Sequence, residues 1–176
     1  MEKSYKKTIE VKKTNEIAID EYNLGCLISN AMGDTCGFDW WKCDDGEYEA
    51  AKNEIVAENH LDSDDQVCIE DVYARVLLKG GKIELLEPES GWHWSGKEPD
   101  DMVWKAEVVA KKLHPVGGKW HAIGIDDVAR GIGLYGEAKC ANDCGPSLRN
   151  IVEDGDFWDA DAVFQFAAYG EIVFGY

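Results

Sequence analysis

Apolar and polar positions change period several times along the chain, and each period names an element. Ile9 and Val11 alternate with charged residues, and Ile17 and Ile19 do the same after Lys12-Lys13-Thr14-Asn15, which predicts one long strand or two short ones. Asp20 then stands as a helix N-cap ahead of Leu24, Leu27, Ile28, Ala31 and Met32, an i, i+3, i+4, i+7, i+8 stripe that stops at Gly33. Phe38, Trp40 and Trp41 read as a short extended segment before a turn at Asp44-Asp45-Gly46-Glu47. A helix with a thin apolar stripe of Tyr48, Ala51 and Ile55 is expected within 47–58. A better defined one runs through Ile69, Val72, Tyr73, Val76 and Leu77, with Gly80-Gly81 as its left-handed stop.

The second half mixes the two periods. Lys82-Ile83-Glu84-Leu85-Leu86 reads as a strand, Met102, Trp104, Ala106 and Val108 alternate as a second, and Lys119-Trp120-His121-Ala122-Ile123 as a third of the same meander. Ile125, Val128, Ala129, Ile132 and Tyr135 form a helical stripe whose first turn carries Asp126 and Asp127, favourable at the positive end of the helix dipole. Residues 139–155 read mostly as loop. Asp159 is expected to open a last helix with Val163, Phe166, Ala167 and Gly170 on one face. Ile172-Val173-Phe174 is too apolar for a free tail and should pack into the core. Without a repeated βαβ rhythm, the pattern describes a single α+β domain over residues 1–176. A small, mostly antiparallel sheet would pack there with about four amphipathic helices.

Charge changes this picture. The 176 residues hold 35 Asp+Glu against 18 Lys+Arg, a formal charge of −17, yet 45% of them are apolar and seven are Trp. Enough apolar surface exists to offset ordering entropy, so the chain reads as a folded acidic domain and not as a disordered tail. Its field repels phosphate backbones and anionic membranes, which argues against direct partnership with nucleic acid or membrane, and attracts basic protein surfaces. No apolar run fits a signal peptide or a membrane span, so a cytoplasmic protein is expected, and in that reducing compartment its six Cys are expected as free thiols.

The segment Asp159-Ala160-Asp161-Ala162-Val163-Phe164-Gln165-Phe166-Ala167-Ala168-Tyr169-Gly170-Glu171-Ile172-Val173-Phe174-Gly175 resembles the closing signature of a family of small uncharacterised proteins encoded in phages and prophages of gut Firmicutes. Three further stretches are similar in arrangement: the helix and aromatic pair of Asp20–Trp41, Ala74–Gly81 followed by a strand, and Ile125–Tyr135 with Gly131-Ile132 inside it. The Trp-rich region up to Trp120 is longer than the family pattern. No activity attaches to that family, so the resemblance implies a source, the bacterial host cytosol and a fold, and leaves function open.

Eleven acidic positions between Asp44 and Asp71 face the single base Lys52. Asp44, Asp45, Glu47, Glu49, Glu58, Asp62, Asp64 and Asp65 are therefore candidate contacts to a host protein with a basic surface. Some phage-encoded inhibitors imitate the charge of DNA, and a nucleic-acid-processing or defence enzyme is one such partner; the competing reading is a solvated face that keeps the protein soluble. Trp92-His93-Trp94 either marks a binding surface, with Trp92 and Trp94 as its anchors, or folds back over the sheet and leaves His93 in water.

Cys140 and Cys144 have a spacing that would suit half a zinc site, with Cys36 and Cys43 as the other half. Six residues separate the latter two and no CxxC pair exists, so buried or free thiols are the favoured reading; Cys26 and Cys68 are expected in the core. His93, His114 and His121 would each need a positioned nucleophile or carboxylate for catalysis. Residues 154–161 lack the order of a calcium loop, and Gly131-Ile132-Gly133 lacks GxGxxG spacing. The sequence thus predicts a non-catalytic binding protein without a cofactor. The alternatives are a zinc-binding or His/Cys-based enzyme and a self-associating structural phage component.

Overall fold

A computed structural model describes residues 6–12, 15–33, 37–96, 114–140 and 148–174. Strands β1 (Lys6–Lys12) and β2 (Asn15–Asp20) form an antiparallel hairpin with Ile9 opposite Ile17, so the first alternating run is two strands. Asp20 caps α1 (Glu21–Met32) by accepting the Asn23 N–H at 3.0 Å. After β3 (Trp40–Cys43), Asp44 caps α2 (Asp45–Asn59), and a short 3-10 turn at Asp64–Gln66 leads to α3 (Ile69–Leu78). Then follow β4 (Ile83–Leu86), a small hairpin of β5 (His93–Trp94) and β6 (Pro115–Val116), β7 (Trp120–Ile123), α4 (Ile125–Cys140), α5 (Leu148–Glu153) and α6 (Phe157–Tyr169). The architecture is α+β, with every described strand pair antiparallel.

The three-stranded sheet has the order β3-β4-β7. Its rows run Trp41–Leu85–His121 and Cys43–Ile83–Ile123 on one face, and Trp40–Leu86–Trp120 and Lys42–Glu84–Ala122 on the other. The first face closes the main core with α1, α3, α4 and α6: Leu24, Ile28, Leu77, Ile83, Ile132 and Phe164 are all fully buried in one cluster. Because β4 pairs directly with both β3 and β7, the expected meander is corrected; its middle member, Met102–Val108, lies outside the described residues.

Helices α4 and α6 cross in close backbone contact. A Cβ on Gly131 would sit 2.2 Å from the Val163 carbonyl oxygen and 3.0 Å from the Ala167 nitrogen, so only glycine permits this crossing. Helix α6 is buried on nearly all sides, polar Asp161 and Gln165 included.

Helix α2 is held differently. Ala51 and Ile55 pack on Val72 and Val76 of α3 in a small second cluster, an apolar contribution of roughly 3 kcal/mol for a whole helix. Ion pairs fix the rest of its docking. Arg75, only 4% exposed, donates from Nε and Nη2 to the two Glu21 oxygens (3.0 and 2.9 Å) and reaches Glu58 from Nη1 (2.9 Å), tying α1, α2 and α3 together. Lys79 pairs with Glu54 at 2.5 Å. Burial pushes the Glu21 carboxyl above its ordinary value of 4.5 against the pull of Arg75.

Four expectations change. Asp156, not Asp159, caps α6; Asp159 lies in its first turn and is buried. The stretch 139–155 contains the end of α4 and all of α5. Cys68 is exposed at the start of α3. Ile172 and Val173 stay 37% and 50% exposed, because the tail is held by polar bonds and not by apolar burial. The buried Gln165 amide accepts the N–H groups of Val173 and Phe174 and donates to the Phe174 carbonyl, each at 2.8 Å, and donates to Asp161 at 2.7 Å.

Two stability measurements test this reading. Arg75→Met leaves Glu21 and Glu58 without their partner and is expected to cost about 3 kcal/mol in urea unfolding at neutral pH. A carboxyl whose folded pKa is raised contributes stability below its unfolded pKa and loses it as pH rises through the folded one. The Arg75→Met deficit relative to the parent is therefore largest near neutrality and shrinks as pH falls into the carboxylate range; a deficit that is flat with pH contradicts the assignment. Gly131→Ala should cost about 1–3 kcal/mol despite alanine's better helix propensity, because the α4–α6 crossing must open.

Candidate functional site

The acidic arm begins where β3 ends. Asp44 caps α2 by accepting the N–H groups of Gly46 (2.9 Å) and Glu47 (3.1 Å), so its carboxylate serves the helix start. Glu58 is engaged by Arg75, and Asp64 by Lys52 at 2.7 Å, which holds the Asp64 carboxyl below its ordinary range. Of the eight carboxylates singled out in the sequence, these three have structural duties. Asp45, Glu47, Glu49, Asp62 and Asp65 are exposed on α2 and the turn that follows, with the Glu47 carboxylate lying beside Gly81 at the end of α3. Arg75 and Lys79 thus sit along the seam between α2 and the end of α3, Lys52 ties α2 to the turn before α3, and Glu49, Asp62 and Asp65 are left on the exposed surface.

The second surface is the outer face of the three-stranded sheet. Strand alternation sends Trp41 inward, where its ring meets Phe164 at 4.8 Å, and so sends Trp40 outward. The row Trp40–Leu86–Trp120 then places two indoles either side of a fully buried leucine. The β5–β6 hairpin folds over this row. Trp94 meets Trp40 edge to face at 5.5 Å and 90°, and Trp92 meets Trp94 at 5.4 Å and 87°. Gly118, at φ 72°, lets the chain close here, since a Cβ would lie 2.7 Å from Leu86 Cδ1 and 2.8 Å from Trp92 Cβ.

Polar groups fix the cluster at its edges. Trp92 Nε1 donates to Asp39 Oδ2 at 2.6 Å, Trp120 Nε1 donates to the Gly117 carbonyl at 3.1 Å, and Lys42 pairs with Glu84 at 2.9 Å while its Nζ lies 3.9 Å over the Trp120 ring. All four indoles remain partly exposed, and Trp92, His93, Trp94 and Gly96 line an open hollow of about 500 Å³. Trp94 folds over the sheet and His93 is exposed, as the second of the two sequence readings has it, and the rings form a partly exposed aromatic face. Trp40, Trp120, Asp39 and Lys42 belong to it and were not gathered from the sequence. The signal was present in the outward alternation of Trp40-x-Lys42, Glu84-x-Leu86 and Trp120-x-Ala122.

The remaining candidates disperse. His121 points to the core side, bonded to Glu87 at 2.8 Å and packed on Tyr169; Lys119 and His121 together hold the Glu87 carboxyl below its ordinary range. His114 Nδ1 lies 3.4 Å from Ser95 Oγ, an exposed and long contact at the base of the small hairpin. Cys26 and Cys43 are half-buried, Cys43 packing against both core clusters; Cys36 and Cys144 lie outside the described residues, as does the side chain of Cys140. Among the described residues no group of three or more His, Cys, Asp or Glu side chains could hold a metal ion.

A second hollow of about 380 Å³ lies between α4, α6 and the tail, lined by Tyr135, Lys139, Asp156, Trp158, Asp159, Ala162 and Ile172. Asp159 takes both the Tyr135 hydroxyl, at 2.5 Å, and the Lys139 ammonium there; burial and that bond push the Tyr135 phenol up to about 12. No helix among the described residues is long and apolar enough to cross a membrane. The chain matches no protein family, and no curated protein or solved structure is similar to it.

Proposed function

We propose that this is a non-catalytic, phage- or prophage-encoded protein that binds a basic protein of its bacterial host. The observation that carries the reading is the one-sidedness of the arm: Arg75 and Lys79, at the end of α3, bind Glu58 and Glu54 along its inner seam and Lys52 binds Asp64 in the turn beyond, while Glu49, Asp62 and Asp65 are exposed to solvent. With a chain charge of −17, such a surface attracts basic partners over a Debye length and speeds their encounter.

Charge density narrows the partner's chemistry. Helix α2 spans about 22 Å at the usual helical rise, a length over which duplex DNA carries about 13 phosphates. The helix offers five acids, Asp45, Glu47, Glu49, Glu54 and Glu58, and Glu54 and Glu58 are among those already paired. That density favours recognition of a compact basic patch over phosphate-by-phosphate imitation of a duplex, in a nucleic-acid-processing or defence enzyme as in any other basic protein.

The test is capture of host proteins on the intact protein, followed by titration of the captured partner. Affinity should fall about tenfold or more as salt rises from about 0.1 M to about 0.4 M. A Glu49→Lys, Asp62→Lys, Asp65→Lys variant should lose the partner while keeping its urea midpoint, since none of the three side chains forms an ion pair among the described residues. Capture indifferent to both changes overturns the proposal.

A further inference from the structure

We infer that the outer aromatic face of the sheet is an arginine-binding surface, taking guanidinium groups of a basic segment against Trp40, Trp92, Trp94 and Trp120. This deepens the preceding reading and rests on it for the sign of the partner's charge. The face already holds one cation in the required manner: Lys42 Nζ stands 3.9 Å over the Trp120 ring with Glu84 as its counter-ion. A cation above an indole, closed by a carboxylate beside it, is the arrangement an incoming arginine would repeat at the neighbouring rings.

The counter-ion for that second position is in place. Asp39 is exposed; Trp92 Nε1 occupies its Oδ2 at 2.6 Å, and among the described residues no group takes its Oδ1. The bond orients both the carboxylate and the Trp92 ring, so an arginine stacked on that ring has a fixed acceptor at the ring's edge. Trp40, Trp92 and Trp94 are locked by perpendicular edge-to-face contacts, so little side-chain freedom remains to be lost on binding. Their mutual 87–90° angles turn ring faces in more than one direction, which suits separate side chains from a peptide better than the flat sugar faces of an oligosaccharide.

Arginine is favoured over lysine on chemical grounds. The guanidinium is planar, stacks on an indole with less loss of hydration than an ammonium, and can present two N–H groups to one carboxylate. Stacking of this kind is short-ranged, so it persists at salt concentrations that screen the acidic arm.

The experiment titrates the intact protein with hexa-arginine, hexa-lysine and a neutral hexasaccharide at about 0.4 M salt, reading tryptophan fluorescence and calorimetry. Hexa-arginine is expected to bind about fivefold to tenfold tighter than hexa-lysine and to change the fluorescence. The preference should vanish in Trp94→Leu and return in Trp94→Phe, which keeps a ring. Lys42→Met, which frees the Trp120 face and does not enter the core, should tighten hexa-arginine binding. Equal affinity for the two peptides, or a preference that Trp94→Leu leaves intact, overturns the inference while host capture by the acidic arm is judged by its own charge-reversal test. A response to the hexasaccharide and not to hexa-arginine overturns it in favour of a carbohydrate face.

Discussion

The clamp of Arg75 on Glu21 and Glu58 is the interaction on which the exposed chemistry depends. A chain with so large an excess of carboxylates must fold without forcing them together, and here a single guanidinium, almost wholly buried, joins three helices at the point where they meet. Helix α2 has few apolar residues to bury, so its position is decided by this clamp and by the Lys79–Glu54 pair. Scarce bases thereby acquire two effects at once. They anchor the helix on its inner side, and by pairing there they leave Glu49, Asp62 and Asp65 without an ion pair among the described residues. Removing such a partner is expensive because its carboxylates stay behind in a partly desolvated seam.

A parallel logic governs the other end of the molecule. Helix α6 is almost entirely enclosed, and its polar residues turn that enclosure into connections: the Gln165 amide uses both its oxygen and its nitrogen to hold the last described turn of chain. Tyr169 then stacks on Phe38 and touches His121 and Phe174, joining the tail to the start of β3 and to β7. Trp41 packs edge-on against Phe164 of the same helix. Since successive strand residues point to opposite faces, anchoring Trp41 inward fixes Trp40 outward, and the core of α6 sets the orientation of the aromatic surface.

Much of the fold was readable because its elements obey a clear period. The stripe from Leu24 to Met32, the stop at Gly80-Gly81 and the strands at 83–86 and 120–123 all follow from spacing and turn chemistry. What escaped depends on partners distant in sequence. Asp159 looked like a cap because it is an acid ahead of an apolar run, yet Asp156 three residues earlier does the capping and Asp159 instead receives Tyr135 and Lys139 from α4. Ile172 and Val173 read as core because they are apolar, and no local rule reveals a glutamine amide eight residues before Val173 that holds the backbone of Val173 and Phe174 instead. The extent of the aromatic surface escaped for the same reason: Trp40 and Trp120 join Trp92 and Trp94 only after long connections bring three strands and a hairpin together.

The acidic arm and the aromatic face share a stretch of backbone. Trp40 and Lys42 lie on β3, and Asp44, one residue beyond its end, caps the helix that carries the arm. In the proposed reading the two surfaces act on different steps of one encounter. The arm's field extends about one Debye length into solvent and raises the frequency with which a basic partner arrives; it weakens as ions accumulate. Indole stacking acts only at contact and sets how long the partner stays, which is where affinities of related complexes chiefly differ. Because the linking residues belong to a strand and to a capped helix start, an arriving side chain finds both surfaces already in register, without a loop to order first.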